Sequence, residues 1–340
     1  MVMGYRQFPI GEQVTLLHTE EDGIEFNLDI DMLEQSTFQT NLALRRFQDL
    51  GDEIGFSFWE VASLRTLSAM VGHIFAQYVG QNHPHLMLNP NQDGQPDLIC
   101  LTRSGRLYLA ENTHEGHLNS DKSLWSPYPY GGVEIKSTCG NTPPASEIPK
   151  PRIGESRFPI LASAEWKAHH QDTRLLLGLH WDFIDGYPVI LALFFRNDLD
   201  TTVGRENEHW GVVVTPTGDS KTTSVSVMKT AGVRHMGQGL ILIMDDEDIR
   251  TALNSNYHFD SHPYQAMSSS ELDEILTGQS IRIPRLKREK FETLLLVELA
   301  NMDFDEMSDL DLELALRSRG ITPTHEREEN LRILSSFLLP

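Results

Sequence analysis

Pro96-Asp97-Leu98-Ile99-Cys100 and Gly132-Val133-Glu134-Ile135-Lys136-Ser137-Thr138 are the stretches on which the reading of this chain turns, with Glu134 lying 37 positions after Asp97. The first is a short apolar run entered from the turn-forming cluster Asn89-Pro-Asn-Gln-Asp-Gly-Gln-Pro96. The second alternates, so Glu134 and Lys136 emerge on one face of a strand while Val133 and Ile135 anchor the other. If the two runs are neighbouring strands, two carboxylates and one ammonium meet at one point. A carboxylate pair binds a hard divalent cation, and a lysine beside it steadies an anionic transition state or the attacking water. The plainer reading is a turn dipeptide and a solvated strand face, since Pro-Asp and Glu-x-Lys are both common.

These residues resemble the hallmark of the PD-(D/E)XK nuclease superfamily, a Pro-Asp on one strand and a Glu-x-Lys on the next. The likeness spans roughly positions 55–245 as an order of elements. It implies an α/β fold with a restriction-endonuclease-like core, a mixed central β-sheet flanked by helices, and magnesium-dependent hydrolysis of double-stranded DNA. Asp97 and Glu134 are then the Mg2+ ligands, the Ile135 carbonyl a further one, and Lys136 the group beside the nucleophilic water. Family members also carry an acidic residue on a preceding helix, a place that Glu60 fills. Its other reading is a capping box with Ser57.

Charge bears on the substrate. The chain has 340 residues, 49 acidic and 28 basic, for a formal net charge of −21. Phosphate contacts need Lys and Arg, so the sum argues against nucleic acid, but binding depends on where the cations lie. Seven carboxylates and no base fall between Glu298 and Glu313, whereas Lys150–Arg157 and Arg282–Lys290 are locally basic. Two cysteines, Cys100 and Cys139, are too few for a disulfide framework or a cysteine zinc site. No apolar run reaches the ~18 to 20 residues of a membrane span, so no membrane partner and a prokaryotic cytoplasmic location are expected.

Along the chain, residues 1–55 read as an N-terminal extension, with short strand-like pieces in 1–35, 56–250 as the nuclease core, and 251–340 as a helical C-terminal appendage serving DNA binding or dimerisation. One helix is expected from Ser57 to Tyr78, ending at Gly80. Asp97–Thr102 continues through Arg103-Ser-Gly-Arg106 as a hairpin into a strand at Leu107–Ala110. A loop of about 18 residues, Gly140–Arg157, leaves the Glu134 strand directly and carries Lys150, Arg152 and Arg157 toward DNA. Ala164–Gln171 reads as a short helix offering Lys167, His169 and His170 to phosphates.

Arg174–Phe183 and Val189–Phe195 read as central strands joined by a turn at Asp185-Gly186-Tyr187-Pro188. Trp210–Val214 and Thr222–Met228 form another strand pair, in which Lys221, Thr222, Thr223, Lys229 and Arg234 are candidate DNA contacts. The run Ser308–Gly320 followed by Thr322–Phe337 is similar to the helix pair of SAP-type DNA-binding modules, with Arg317, Arg319 and Arg332 as its contacts. A type II restriction endonuclease acting as a homodimer is the expected function. The alternatives are a repair or recombination nuclease of the same fold and a non-catalytic DNA-binding protein.

Overall fold

The computed structural model describes residues 4–8, 15–18, 25–168, 175–199, 207–217, 220–259, 269–287, 289–291, 293, 294, 297, 312, 316, 324 and 326–336. The chain divides into two compact units, Met1–Tyr257 and His258–Pro340. In the first, the strands are β1 (Tyr5–Gln7), β2 (Thr15–His18), β3 (Glu25–Asn27), β4 (Leu86–Leu88), β5 (Leu98–Cys100), β6 (Thr113–His114), β7 (His117–Leu118), β8 (Gly132–Thr138), β9 (Lys167–Ala168), β10 (Leu176–Ile184), β11 (Tyr187–Arg196), β12 (Trp210–Thr217), β13 (Ser220–Met228) and β14 (Leu240–Met244). The helices are α1 (Ile30–Glu53), α2 (Phe58–Val61), α3 (Leu64–Asn82), α4 (Arg103–Glu111), α5 (Lys122–Trp125), α6 (Thr230–Gly237) and α7 (Glu247–Tyr257).

The fold is α/β around a mixed seven-stranded sheet in the order β1-β14-β11-β10-β8-β5-β4. β8 and β10 run parallel, while every other neighbouring pair in this sheet is antiparallel. A smaller sheet, β12-β13-β9, and two hairpins, β2-β3 and β6-β7, complete the strands. Alternation along the central strands divides their side chains between two layers. Val133, Ile135, Leu177, Leu179, Trp181 and Phe183 join Leu67, Val71, Phe75 and Val79 of α3 and Leu33 and Leu44 of α1 in the main core. The opposite face carries Glu134, Lys136 and Thr138, with Gly178 and His180 in register beside Lys136 and Thr138 and Asp182 following beyond the paired stretch. At Gly178 a Cβ would meet the Trp166 ring at 2.7 Å and Met236 Cε at 2.8 Å, so that face is covered as well.

Several expectations need correction. The N-terminal segment contains a 24-residue helix, α1, capped by Asp29 accepting from the Met32 amide at 3.2 Å. It escaped the sequence reading because its buried face includes Ser36, Thr37, Thr40, Asn41 and Gln48, while Phe38, Leu42, Leu50 and Ile54 face outward. Residues 1–55 also supply β1, which pairs with β14 at the sheet edge. The single helix expected from Ser57 is two, α2 and α3, the long one capped at Ser63 and running to Asn82 past Gly80. Arg103–Ala110 is the helix α4, not a hairpin and strand, because the Thr102 hydroxyl accepts from the Gly105 amide at 2.9 Å and caps it. Residues 164–168 are extended, and Lys167–Ala168 forms β9 against β13.

The second unit is helical where it is described, with α8 (Ser269–Gly278) and α9 (Arg327–Ser336). Leu272, Leu276 and Leu294 form its small core. Lys290 is buried against it, bound to Asp273 at 2.5 Å and to the Ser269 hydroxyl at 2.7 Å. Arg317 and Arg319 lie outside the described residues; Arg332 sits on α9. No helix among the described residues is long and apolar enough to cross a membrane.

Candidate functional site

The strand pairing that the two motifs demand is present. β5 lies antiparallel beside β8, with Leu98 opposite Val133 and Ile99 opposite Gly132. Gly132 is what allows the approach: a Cβ there would stand 2.1 Å from the Leu98 carbonyl oxygen and 2.3 Å from the Pro96 ring. On the β5 side, Asn89 fixes the entry. Its amide group donates to the Pro96 and Trp125 carbonyls, both at 2.9 Å, and its backbone N–H donates to the Asp97 carbonyl at 2.9 Å. The chain between the two strands is taken up by α4, the β6-β7 hairpin and α5. They return to the sheet through packing of Tyr108, Trp125 and Tyr128 around Ile99. A long separation in sequence therefore closes on a short one in space.

Asp97 accepts the Ile135 amide hydrogen at 2.8 Å through Oδ2, which sets its carboxylate against the β8 backbone next to Glu134. Glu134 is buried; Oε1 binds the Lys136 ammonium, and Oε2 lacks a hydrogen-bond partner among the described residues. Lys136 Nζ also lies 3.4 Å from the Ile135 carbonyl. Burial is the largest influence on the Glu134 carboxyl and raises it to about 7, with Asp97 adding to the rise and Lys136 opposing it. Asp97 and Lys136 are only half-buried, so solvent reaches the cluster. Asp97, Glu134, Lys136 and the Ile135 carbonyl are thus together.

The donors present fit a hard divalent cation. They are carboxylate and carbonyl oxygens, and one of them, Glu134 Oε2, is buried and unsatisfied. Among the described residues no group of three or more His, Cys, Asp or Glu stands at metal-binding distance. Glu60 belongs to α2, and its side chain lies outside the described residues.

The same face of the sheet holds polar groups that the sequence reading passed over. His180 and Asp182 alternate with Trp181 and Phe183 in an otherwise apolar strand, a pattern that already places both opposite the core. Asp182 accepts the amide hydrogens of Arg157 at 2.7 Å and Phe158 at 2.6 Å, and so ties down the far end of the loop that leaves β8. Burial raises its carboxyl to about 6. His180 is fully buried, which lowers its imidazole to about 3, and its Nδ1 lies 2.9 Å from the Tyr257 hydroxyl.

The proposed DNA contacts are dispersed. Lys150 and Arg152 are exposed on the irregular segment 140–157, as expected, but Arg157 is buried beside Asp182 and Cys139 and is not a surface cation. Lys167 is exposed and paired with Glu165 at 2.8 Å. His169 and His170 lie outside the described residues. Lys221, Thr222 and Thr223 are on β13, with side chains outside the described set. Lys229 donates to the Asn207 carbonyl at 2.8 Å, and Arg234 is exposed on α6. No protein-family model, curated protein or solved structure matches the chain.

Proposed function

We propose that the protein is a magnesium-dependent endonuclease of the PD-(D/E)XK kind, with a restriction-endonuclease-like core, that hydrolyses double-stranded DNA in the manner of a type II restriction enzyme. The observation that carries this reading is the meeting of Asp97 and Glu134 on paired strands, with the Lys136 ammonium on Glu134. Asp97, Glu134 and the Ile135 carbonyl would hold Mg2+, which when bound polarises the phosphate and neutralises the departing oxygen. The Lys136 ammonium would orient the attacking water and stabilise the negative charge that develops as the water's proton passes to solvent. The Ile135 amide fixes Asp97 through Oδ2, which leaves its second oxygen available to the cation. Substrate phosphates are met by Lys150, Arg152 and Arg234, and cutting both strands requires two copies of the chain.

A digest of genomic and phage DNA with magnesium, run beside Glu134→Ala, tests this. Discrete fragments from the parent and none from the variant are expected. A smear or nicking points to a repair or recombination nuclease of the same fold. Retarded but intact duplex identifies a DNA-binding protein, and discrete fragments that persist in the variant overturn the site.

A further inference from the structure

The outward face of α1 carries a row of large apolar side chains that the fold does not bury. Phe38, Leu42 and Leu50, with Ile54 at the C-cap, recur every four residues with Arg46 completing the series; they are 37%, 54%, 56% and 72% exposed, Phe38 also meeting the Tyr5 ring edge-on at 5.4 Å. Phe47 and Phe56 extend the patch, both packed on Phe58, with ring centroids 6.2 Å and 5.1 Å apart respectively. Single exposed hydrophobics are ordinary, but a contiguous patch of this kind marks an interaction surface. Aromatic enrichment with an arginine at its centre fits an interface, and the exposed Arg45, Asp49, Asp52 and Glu53 beside it give that interface a charged rim.

We infer that this face of α1 binds the same face of a second copy of the chain, the two helices crossing antiparallel about a two-fold axis near residue 48. Two features select that occupant. Residues spaced by four form the ridge that interdigitates with an identical ridge, so the surface is complementary to itself. The charges are ordered in the same sense: Arg46 precedes Asp49, Asp52 and Glu53, all exposed. Arg45 is already stacked over the Tyr187 ring at 4.9 Å, which leaves Arg46 as the arginine within the row. In the antiparallel arrangement Leu42 of one copy meets Ile54 of the other, and Arg46 meets the turn bearing Asp49 and Glu53. A parallel arrangement sets Arg46 against Arg46. α1 and α3 cover the sheet face opposite Glu134 and Lys136, so the contact leaves both candidate sites uncovered. The inference stands whether or not the chain cleaves DNA.

Sedimentation velocity of the full chain over a range of concentrations tests it, with circular dichroism to confirm that each variant folds. The parent is expected to sediment as a dimer. Leu42→Glu with Leu50→Glu, both at exposed positions, should weaken self-association at least about tenfold, as loss of central apolar contacts does. Arg46→Glu should also weaken it, and Arg46→Glu combined with Glu53→Arg should restore it. A monomeric parent overturns the proposal, and so does a dimer indifferent to these changes. Protection of Leu42 from hydroxyl-radical labelling in a monomer would likewise overturn it.

Discussion

The two faces of β8 are built from one heptapeptide and do opposite work. Val133, Ile135 and Ser137 face α3, where apolar packing is supplemented by the Ser137 hydroxyl donating to the Ser68 carbonyl and Trp181 Nε1 donating to the Ser68 hydroxyl at 3.0 Å. Glu134 and Lys136 occupy the other face, and there a carboxyl is kept buried with one oxygen unsatisfied. Burying such a group costs stability, and a site that retains it does so for chemistry more often than for packing. The packed face is where changes should read out as stability, and the charged face as activity.

That division makes the first prediction a pair. Glu134→Ala should lower the cleavage rate at least about a thousandfold, roughly 4 kcal/mol of barrier, with the denaturation midpoint not lowered. Phe75→Ala, on the packed side, should cost about 3–5 kcal/mol of stability while the magnesium dependence of the remaining activity stays as it was. Steady-state cleavage and urea melts on the same preparations separate the two. A large stability loss from the first variant, or loss of magnesium dependence from the second, would break the distinction.

Gly132 connects the faces, since it lets β5 approach. Gly132→Ala should push β5 away from β8, costing about 1–3 kcal/mol. It should also reduce cleavage by at least about tenfold through displacement of Asp97. Melts and rates that both remain at the parent's level would show that the close approach is not what sets the site.

Protonation offers a third handle. The Glu134 carboxyl, raised from 4.5 to about 7, holds its proton more tightly folded than unfolded. Its contribution to stability is therefore complete below about pH 4.5 and is lost as pH rises through 7. Glu134→Gln cannot ionise, so it should gain on the parent progressively across that window. Melts at several pH values would refute the assignment if the difference between the two proteins stayed constant.

The smallest effect concerns α3. A Cβ at Gly72 meets nothing closer than the Ser137 hydroxyl at 3.6 Å, so Gly72→Ala should stabilise the protein by about 0.5–1 kcal/mol through helix propensity alone. A thermal shift in the other direction would mean that α3 sits more tightly on β8 than these distances indicate.

How much of this was legible before the fold was known differs from element to element. The β10-β11 hairpin, β14 and β8 declare themselves because their apolar runs are bounded by turn signals and buried on at least one face. Glu134 and Lys136 follow from alternation alone. α1 does not, because its buried face mixes Ser36, Thr37, Thr40, Asn41 and Gln48 with Leu33 and Leu44 while Phe38, Leu42, Phe47 and Leu50 are exposed, which blurs the pattern that identifies a surface helix. α4 was misread because a serine-glycine pair resembles a hairpin turn, whereas Thr102 and Gly105 form a cap. Arg157 turns inward for a different reason: its own backbone amide and that of Phe158 are drawn to Asp182, a partner 25 positions away that local sequence does not reveal.

The central claim is that Asp97 and Glu134 share a divalent cation. Titration of the full chain with manganese(II), followed by calorimetry, tests it without any requirement for DNA. The account predicts binding by the parent, weakened at least about tenfold, or roughly 1.4 kcal/mol, by Asp97→Asn and by Glu134→Gln separately. Affinity retained in both variants, or no binding by the parent, would contradict it.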